Sequence, residues 1–187
     1  MGFFGQLSLA KILERPLAYK GEVQAIIDYL KSNEIDCFYH CTDRSNIDSI
    51  CKYGLLSFNA CLRFNISPKT GGNSRSHMID KQFNLDDFVR LSFISNLPMM
   101  ERLRAEGRDL VLFKIDLKVA GLLQTFFTDR NAIDPEHILG STLAFLKRIN
   151  EPQGFYDPYK LQQAEVLVRT HVPKEFILNL DNPISFR

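Results

Sequence analysis

A glutamate set inside an apolar run is the most telling residue of this 187-residue chain. Glu165 follows Ala164 and precedes Val166, Leu167 and Val168 in the segment QQAEVLV. A carboxylate there is either an edge-strand group facing water or one turned, partly desolvated, into a polar cavity. In a cavity it can stabilise developing positive charge or accept a proton. His40 closes the short apolar run CFYH and begins HCT (40–42), where it is either a hydrogen-bonded structural residue or a ligand contact. Arg75 stands in a polar stretch, NISPKTGGNSRSHMI (65–79), with DFVRLSF (87–93) and FFTDRNA (126–132) following. An arginine in such a set can grip phosphate or orient an acceptor with its planar fork, which lysine lacks. Asp129 and Asn131 could also do no more than make a turn.

The chain contains no GxGxxG, GxxxxGK[ST], HExxH or GxSxG string, so the commonest nucleotide-fold, zinc-protease and serine-hydrolase signatures are absent. Cys37, Cys41, Cys51 and Cys61 include no CxxC pair, which argues against structural zinc. No metal is expected, and the cysteines read as reduced thiols.

Several elements must position these residues. Val23, Ile26, Ile27 and Leu30 fall at helical spacing within 20–32, and a strand at CFYH leads into a helix carrying Ile47, Ile50 and Cys51, closed by Gly54. Thr42, Asp43 or Ser45 could cap it. Residues 65–79 read as a long loop, 88–95 as a strand and 97–107 as a helix ended by Gly107. DLVLFKIDL (109–117) is the clearest strand, and FFTDRNA reads as strand and turn. Residues 135–149 are predicted to be helical, with Pro135 at the start; a connector spans 150–160; and 164–172 and 175–180 are predicted closing strands split by Pro173. Helices early and strands late suggest an α+β fold with a largely antiparallel sheet.

Composition places this in an ordinary globular chain: 45% hydrophobic and 24% charged residues, with formal net charge +1. The N-terminus does not read as a signal peptide, and no run approaches the roughly 18 apolar residues of a membrane helix. A cytoplasmic protein without a membrane partner is expected. The neutral total conceals a local imbalance. Residues 1–50 carry five Lys/Arg and seven Asp/Glu, whereas 51–95 carry six and three. Lys52, Arg63, Lys69 and Arg75 fall within 51–79, which has no acidic residue and interleaves Tyr53, Phe58 and Phe64. Such a stretch is either a solvated loop beside core aromatics or a surface for single-stranded nucleic acid.

Taken together, the order HCT, an arginine-bearing segment, FVRLSF, FTDRNA and QAEVLV resembles the DarT family of DNA ADP-ribosyltransferase toxins over about residues 36–180. Three departures stand out: Arg130 takes the place of a glycine, Gln162 that of an arginine, and NLPM (96–99) that of RSPM. The resemblance implies an ADP-ribosyltransferase-like split, largely antiparallel sheet with flanking helices, over residues 36–187, after an N-terminal helical extension at 1–35. It also implies that NAD serves as substrate and that ADP-ribose passes to a base, thymine or guanine, in single-stranded DNA. Glu165 and Arg75 are then the catalytic pair, with Arg63 and Arg90 as alternatives for the arginine. His40, Thr42, Ser92, Phe93 and Asn131 would contact NAD, and Arg63, Lys69 and Arg75 the DNA. A cognate antitoxin of ADP-ribosylglycohydrolase type is the implied partner. An enzyme modifying RNA or protein, an RNA 2′-phosphotransferase of similar fold, and an inactive binding module are the alternatives.

Overall fold

A computed structural model describes residues 8–72, 74–150 and 163–186, with the side chains of residues 74–77, 98 and 150 outside the description. In chain order the elements are α1 (Leu9–Leu13), α2 (Val23–Ser32), β1 (Phe38–Asp43), α3 (Ile47–Tyr53), β2 (Leu55–Leu56), α4 (Phe58–Arg63), α5 (Ser74–Gln82) and β3 (Phe88–Ser92). They continue with α6 (Pro98–Ala105), β4 (Leu110–Ile115), β5 (Thr125–Thr128), β6 (Leu139–Gly140), α7 (Leu143–Asn150), β7 (Glu165–Arg169), β8 (His171–Val172) and β9 (Ile184–Phe186). Seven strands form one antiparallel sheet in the order β6-β5-β7-β3-β1-β4-β9, and β2 pairs with β8 apart from it. This is the expected α+β class.

The register decides where a cavity can form. β1 and β4 pair over six positions and β3 and β7 over five, but β1 and β3 pair only at Tyr39 and Ser92. The two central strands therefore separate on either side of that pair. Around the opening, Phe38, Phe113 and Phe127 are fully buried in one core with Ile26 and Leu30 of α2. Each such side chain contributes about 1.5–3 kcal/mol by burial. The chain before α2 is tied to the same sheet, since Lys20 Nζ donates to the carbonyls of Ala120 and Thr125, both at 2.8 Å. Burial lowers the Lys20 pKa to about 8, against the opposing pull of Glu22.

Four sequence expectations are corrected. Residues 74–82, the first six of them placed in a loop, form α5, whose polar sequence shows no apolar stripe for periodicity to detect. The helix expected over 135–149 begins only at Leu143. Asp129 Oδ1 accepts from the Ile138 amide at 2.8 Å and draws the preceding residues alongside β5, where β6 forms. Thr142 Oγ1 then accepts from the Phe145 amide at 3.2 Å. The run 164–172 is two strands, because Thr170 adopts a left-handed φ of 69° between them. Finally, 175–180 is not a strand. Its backbone makes a single antiparallel bridge, Ile177 to Ile115, with the Leu178 amide donating to the Lys114 carbonyl at 2.8 Å. The Asn179 side chain then continues the pairing, accepting from the Lys114 amide at 2.7 Å and donating to the Leu112 carbonyl at 3.1 Å. The unforeseen β9 covers Leu110–Leu112 instead. The connector at 150–160 lies, beyond its first residue, outside the described residues.

Candidate active site

The opening between β1 and β3 contains a cavity of about 450 Å³, within the size range of small-ligand sites. His40, Thr42, Arg90, Ser92, Asn131 and Glu165 line it together, with apolar walls that include Phe58 and Phe88. Residues more than a hundred positions apart in sequence therefore converge on one space. Phe93 does not line it. That ring packs against the core, edge to face with Phe38 at a centroid distance of 5.4 Å.

Glu165 starts β7 directly opposite Ser92 of β3, which puts the two side chains on the same face. Its amide donates to Thr128 Oγ1 at 3.0 Å, and that hydroxyl in turn donates to the Arg130 carbonyl at 2.6 Å. The carboxylate is 19% exposed. Glu165 Oε2 accepts from the Ala132 amide at 2.9 Å and from Arg90 Nη2 at 2.7 Å, while Arg90 Nε lies 3.1 Å from Oε1. Arg90 also donates to Asp80 Oδ1 at 3.1 Å and to Asn131 Oδ1 at 3.0 Å. Burial opposes its charge, but Glu165 and Asp80 outweigh that and hold its pKa above the ordinary arginine value.

His40 Nδ1 lies 3.1 Å from the Arg90 carbonyl. A carbonyl only accepts, so Nδ1 carries a proton, and in the neutral form that burial favours Nε2 is the acceptor. Burial lowers the His40 pKa, with the carbonyl bond acting in the opposite direction. Thr42 Oγ1 accepts from Asn46 Nδ2 at 2.9 Å. Ser92 is buried, and its hydroxyl accepts from the Ile94 amide at 3.2 Å.

A strap from Pro68 to Gly72 borders the cavity. Asn46 grips it like a neighbouring strand, accepting from the Lys69 amide at 2.9 Å and donating to the Lys69 carbonyl at 3.0 Å. Arg108 Nη1 donates to the Thr70 carbonyl at 3.2 Å and Arg102 Nη2 to the Gly71 carbonyl at 2.7 Å. Asp43, 4% exposed, ion-pairs with Arg108 and Lys69. Asp43 and Asn46 were not foreseen as site residues, although the run TDRSN carried both as polar residues directly after a buried strand. Asp80 and Arg108 had no sequence signal.

The arginine question resolves into placements. Arg90 is the one whose described side chain meets Glu165. Arg75 sits in the first turn of α5, and its side chain lies outside the described residues. Arg63 ends α4, exposed, with its guanidinium 5.7 Å from the Phe64 ring centroid. Arg130 remains on its own loop, paired with Asp129 at 2.9 Å and Glu136 at 3.1 Å. Its φ is not positive, so a side chain is accommodated where similar sequences have glycine. All four cysteines are free, and burial pushes the Cys41 and Cys61 thiols up to about 11. Among the described residues no group of three His, Cys, Asp or Glu side chains could hold a metal ion, and no helix is long and apolar enough to cross a membrane.

The fold is shared with several solved structures. Thermosipho africanus DarTG in complex with ADP-ribose superimposes with a TM-score of 0.63 at 22% identity, covering 75% of this chain and 42% of that one. Thermus sp. 2.9 DarT in complex with ADP-ribosylated single-stranded DNA gives 0.57 at 20% identity, covering 77% and 79%. The same Thermus protein in complex with NAD+ gives 0.55 at 21%, covering 77% and 80%. This chain thus spans less than half of the DarTG chain and most of the Thermus one. No curated protein matches it in sequence. The family model described as DarT, ssDNA thymidine ADP-ribosyltransferase, matches residues 39–181, and the chain belongs to that family.

Proposed function

We propose that the chain transfers ADP-ribose from NAD to a thymine base of single-stranded DNA, with Glu165 as the catalytic carboxylate. The observation that carries this reading is the seating of Glu165 in the cavity, fixed by Ala132 and Arg90. As the bond between ribose C1′ and nicotinamide breaks, nicotinamide leaves neutral with the electron pair and the ribose becomes positive. A carboxylate bonded to ribose hydroxyls stabilises that charge. The base nitrogen then bonds to C1′, and its proton passes to Glu165 or to water.

Neutral His40, with Nε2 accepting, and Thr42 suit the hydroxyls of the adenosine-side ribose. Ser92 is assigned to the nicotinamide end and Asn131 to shaping the cleft. Arg75, in the first turn of α5, is assigned to orienting the acceptor, and Arg63 and Lys69 to the DNA backbone. Residues 36–187 form the transferase domain in this reading and 1–35 an extension of it. The chain acts as a cytoplasmic toxin restrained by an antitoxin of ADP-ribosylglycohydrolase type. Incubation with NAD and oligonucleotides, followed by mass spectrometry, tests the acceptor. A gain of one ADP-ribose on thymine-containing single strands is expected. A gain only on RNA, on guanine or on protein contradicts the assignment.

A further inference from the structure

We propose that Arg90 is a positioning residue that presents one chosen oxygen of Glu165 to the substrate; this rests on the reading of Glu165 as the catalytic carboxylate. The hydrogen bonds are unevenly shared. Oε2 receives the Arg90 Nη2 bond at 2.7 Å and the Ala132 amide bond at 2.9 Å, whereas Oε1 receives, among the described residues, only Arg90 Nε at 3.1 Å, a donor it shares with Oε2 at 3.3 Å. A carboxylate oxygen has two lone-pair directions. Oε2 is therefore filled by protein donors, and Oε1 keeps acceptor capacity toward the cavity that both residues line. This leaves room for a ribose hydroxyl without dismantling the ion pair.

The guanidinium is itself held from three elements. Asp80 of α5 takes Nη1, Asn131 of the loop after β5 shares Nη2, and Glu165 of β7 takes Nε and Nη2. The Arg90 carbonyl meanwhile orients His40 on β1. One residue of β3 thus sets both sides of the opening. Two carboxylates share this one guanidinium, so the three groups together remain negative and can still stabilise a positive ribose. A lysine at the same place would supply charge but no rigid fork.

The test is steady-state nicotinamide release from NAD with a thymine-containing oligonucleotide, for wild type, Arg90→Lys, Arg90→Gln and Asp80→Asn. Arg90→Lys should lower kcat about tenfold or more and leave the KM for NAD within about threefold, since orientation is lost while ground-state binding persists. Asp80→Asn should lower kcat in the same direction but less. A rise in KM at unchanged kcat means that Arg90 grips NAD instead, and a rise in kcat means that the pair is a latch; either overturns the proposal. A crystal structure of Arg90→Gln supplies a readout independent of turnover. Glu165 leaving the Ala132 amide supports positioning, and Glu165 remaining there overturns it even if the wild type proves inactive. Wild type that releases no nicotinamide refutes the functional reading, not the geometry.

Discussion

Asp43, the last residue of β1, accepts from Lys69 Nζ at 2.9 Å and so pins the strap that borders the cavity. Arg108 Nε joins the same oxygen at 2.7 Å, with Ser45 on the other. Cavity wall and strap are thereby locked at one buried carboxylate, close to the edge of the proposed NAD site.

Asp43→Asn leaves Arg108, 17% exposed, without its charge partner. The expected cost lies toward the low end of about 3–5 kcal/mol, since Lys69 can turn to solvent. Burial alone would raise the Asp43 pKa, but Arg108, Lys69 and Ser45 together hold it well below the ordinary carboxylate range. A depressed folded pKa stabilises the fold above the unfolded value of about 3.9, and that stabilisation is lost as pH falls. Urea midpoints of wild type and Asp43→Asn should therefore differ fully at pH 6 and begin to draw together only below about pH 4, converging as pH falls toward the far lower folded pKa.

The two lowered histidines act at higher pH. Burial lowers His40 and His171, whose hydrogen bonds to the Arg90 and Tyr53 carbonyls act the other way. Both bind protons less readily folded than unfolded, so stability is full above about pH 6.5 and declines as pH falls below it. Imidazole proton spectra should show both rings titrating below the ordinary histidine value, and rings titrating at or above it would contradict the burial assigned to them.

How much of this was legible in the sequence depended on whether the signal was local. Glu165 and His40 stood out because a titratable group interrupted or ended an apolar run, a contrast one strand suffices to reveal. Arg90 appeared only among rival arginines, since its meeting with Glu165 is made by strand pairing across 75 residues. The strap was invisible for the same reason: Asn46 and Lys69 are 23 residues apart and join through amides, not through a pattern. α5 escaped because its sequence carries no amphipathic stripe, while Gly54 correctly marked the end of α3, with a φ of 75°.

DNA binding should be electrostatic and local. Binding of a labelled single strand should weaken steeply between 50 and 200 mM salt, roughly in proportion to the phosphates contacted. Arg63→Ala and Lys69→Ala should each reduce that slope by about one unit. Affinity insensitive to salt would remove the 51–79 stretch from the interface.

The central claim is that Glu165 does the chemistry. Folded Glu165→Gln, checked by circular dichroism against wild type, should be incubated with NAD and a thymine-containing single strand and weighed by mass spectrometry. Loss of the ADP-ribose adduct by at least about a hundredfold in rate, with the fold intact, is the expected result. Modification at the wild-type rate would contradict the account.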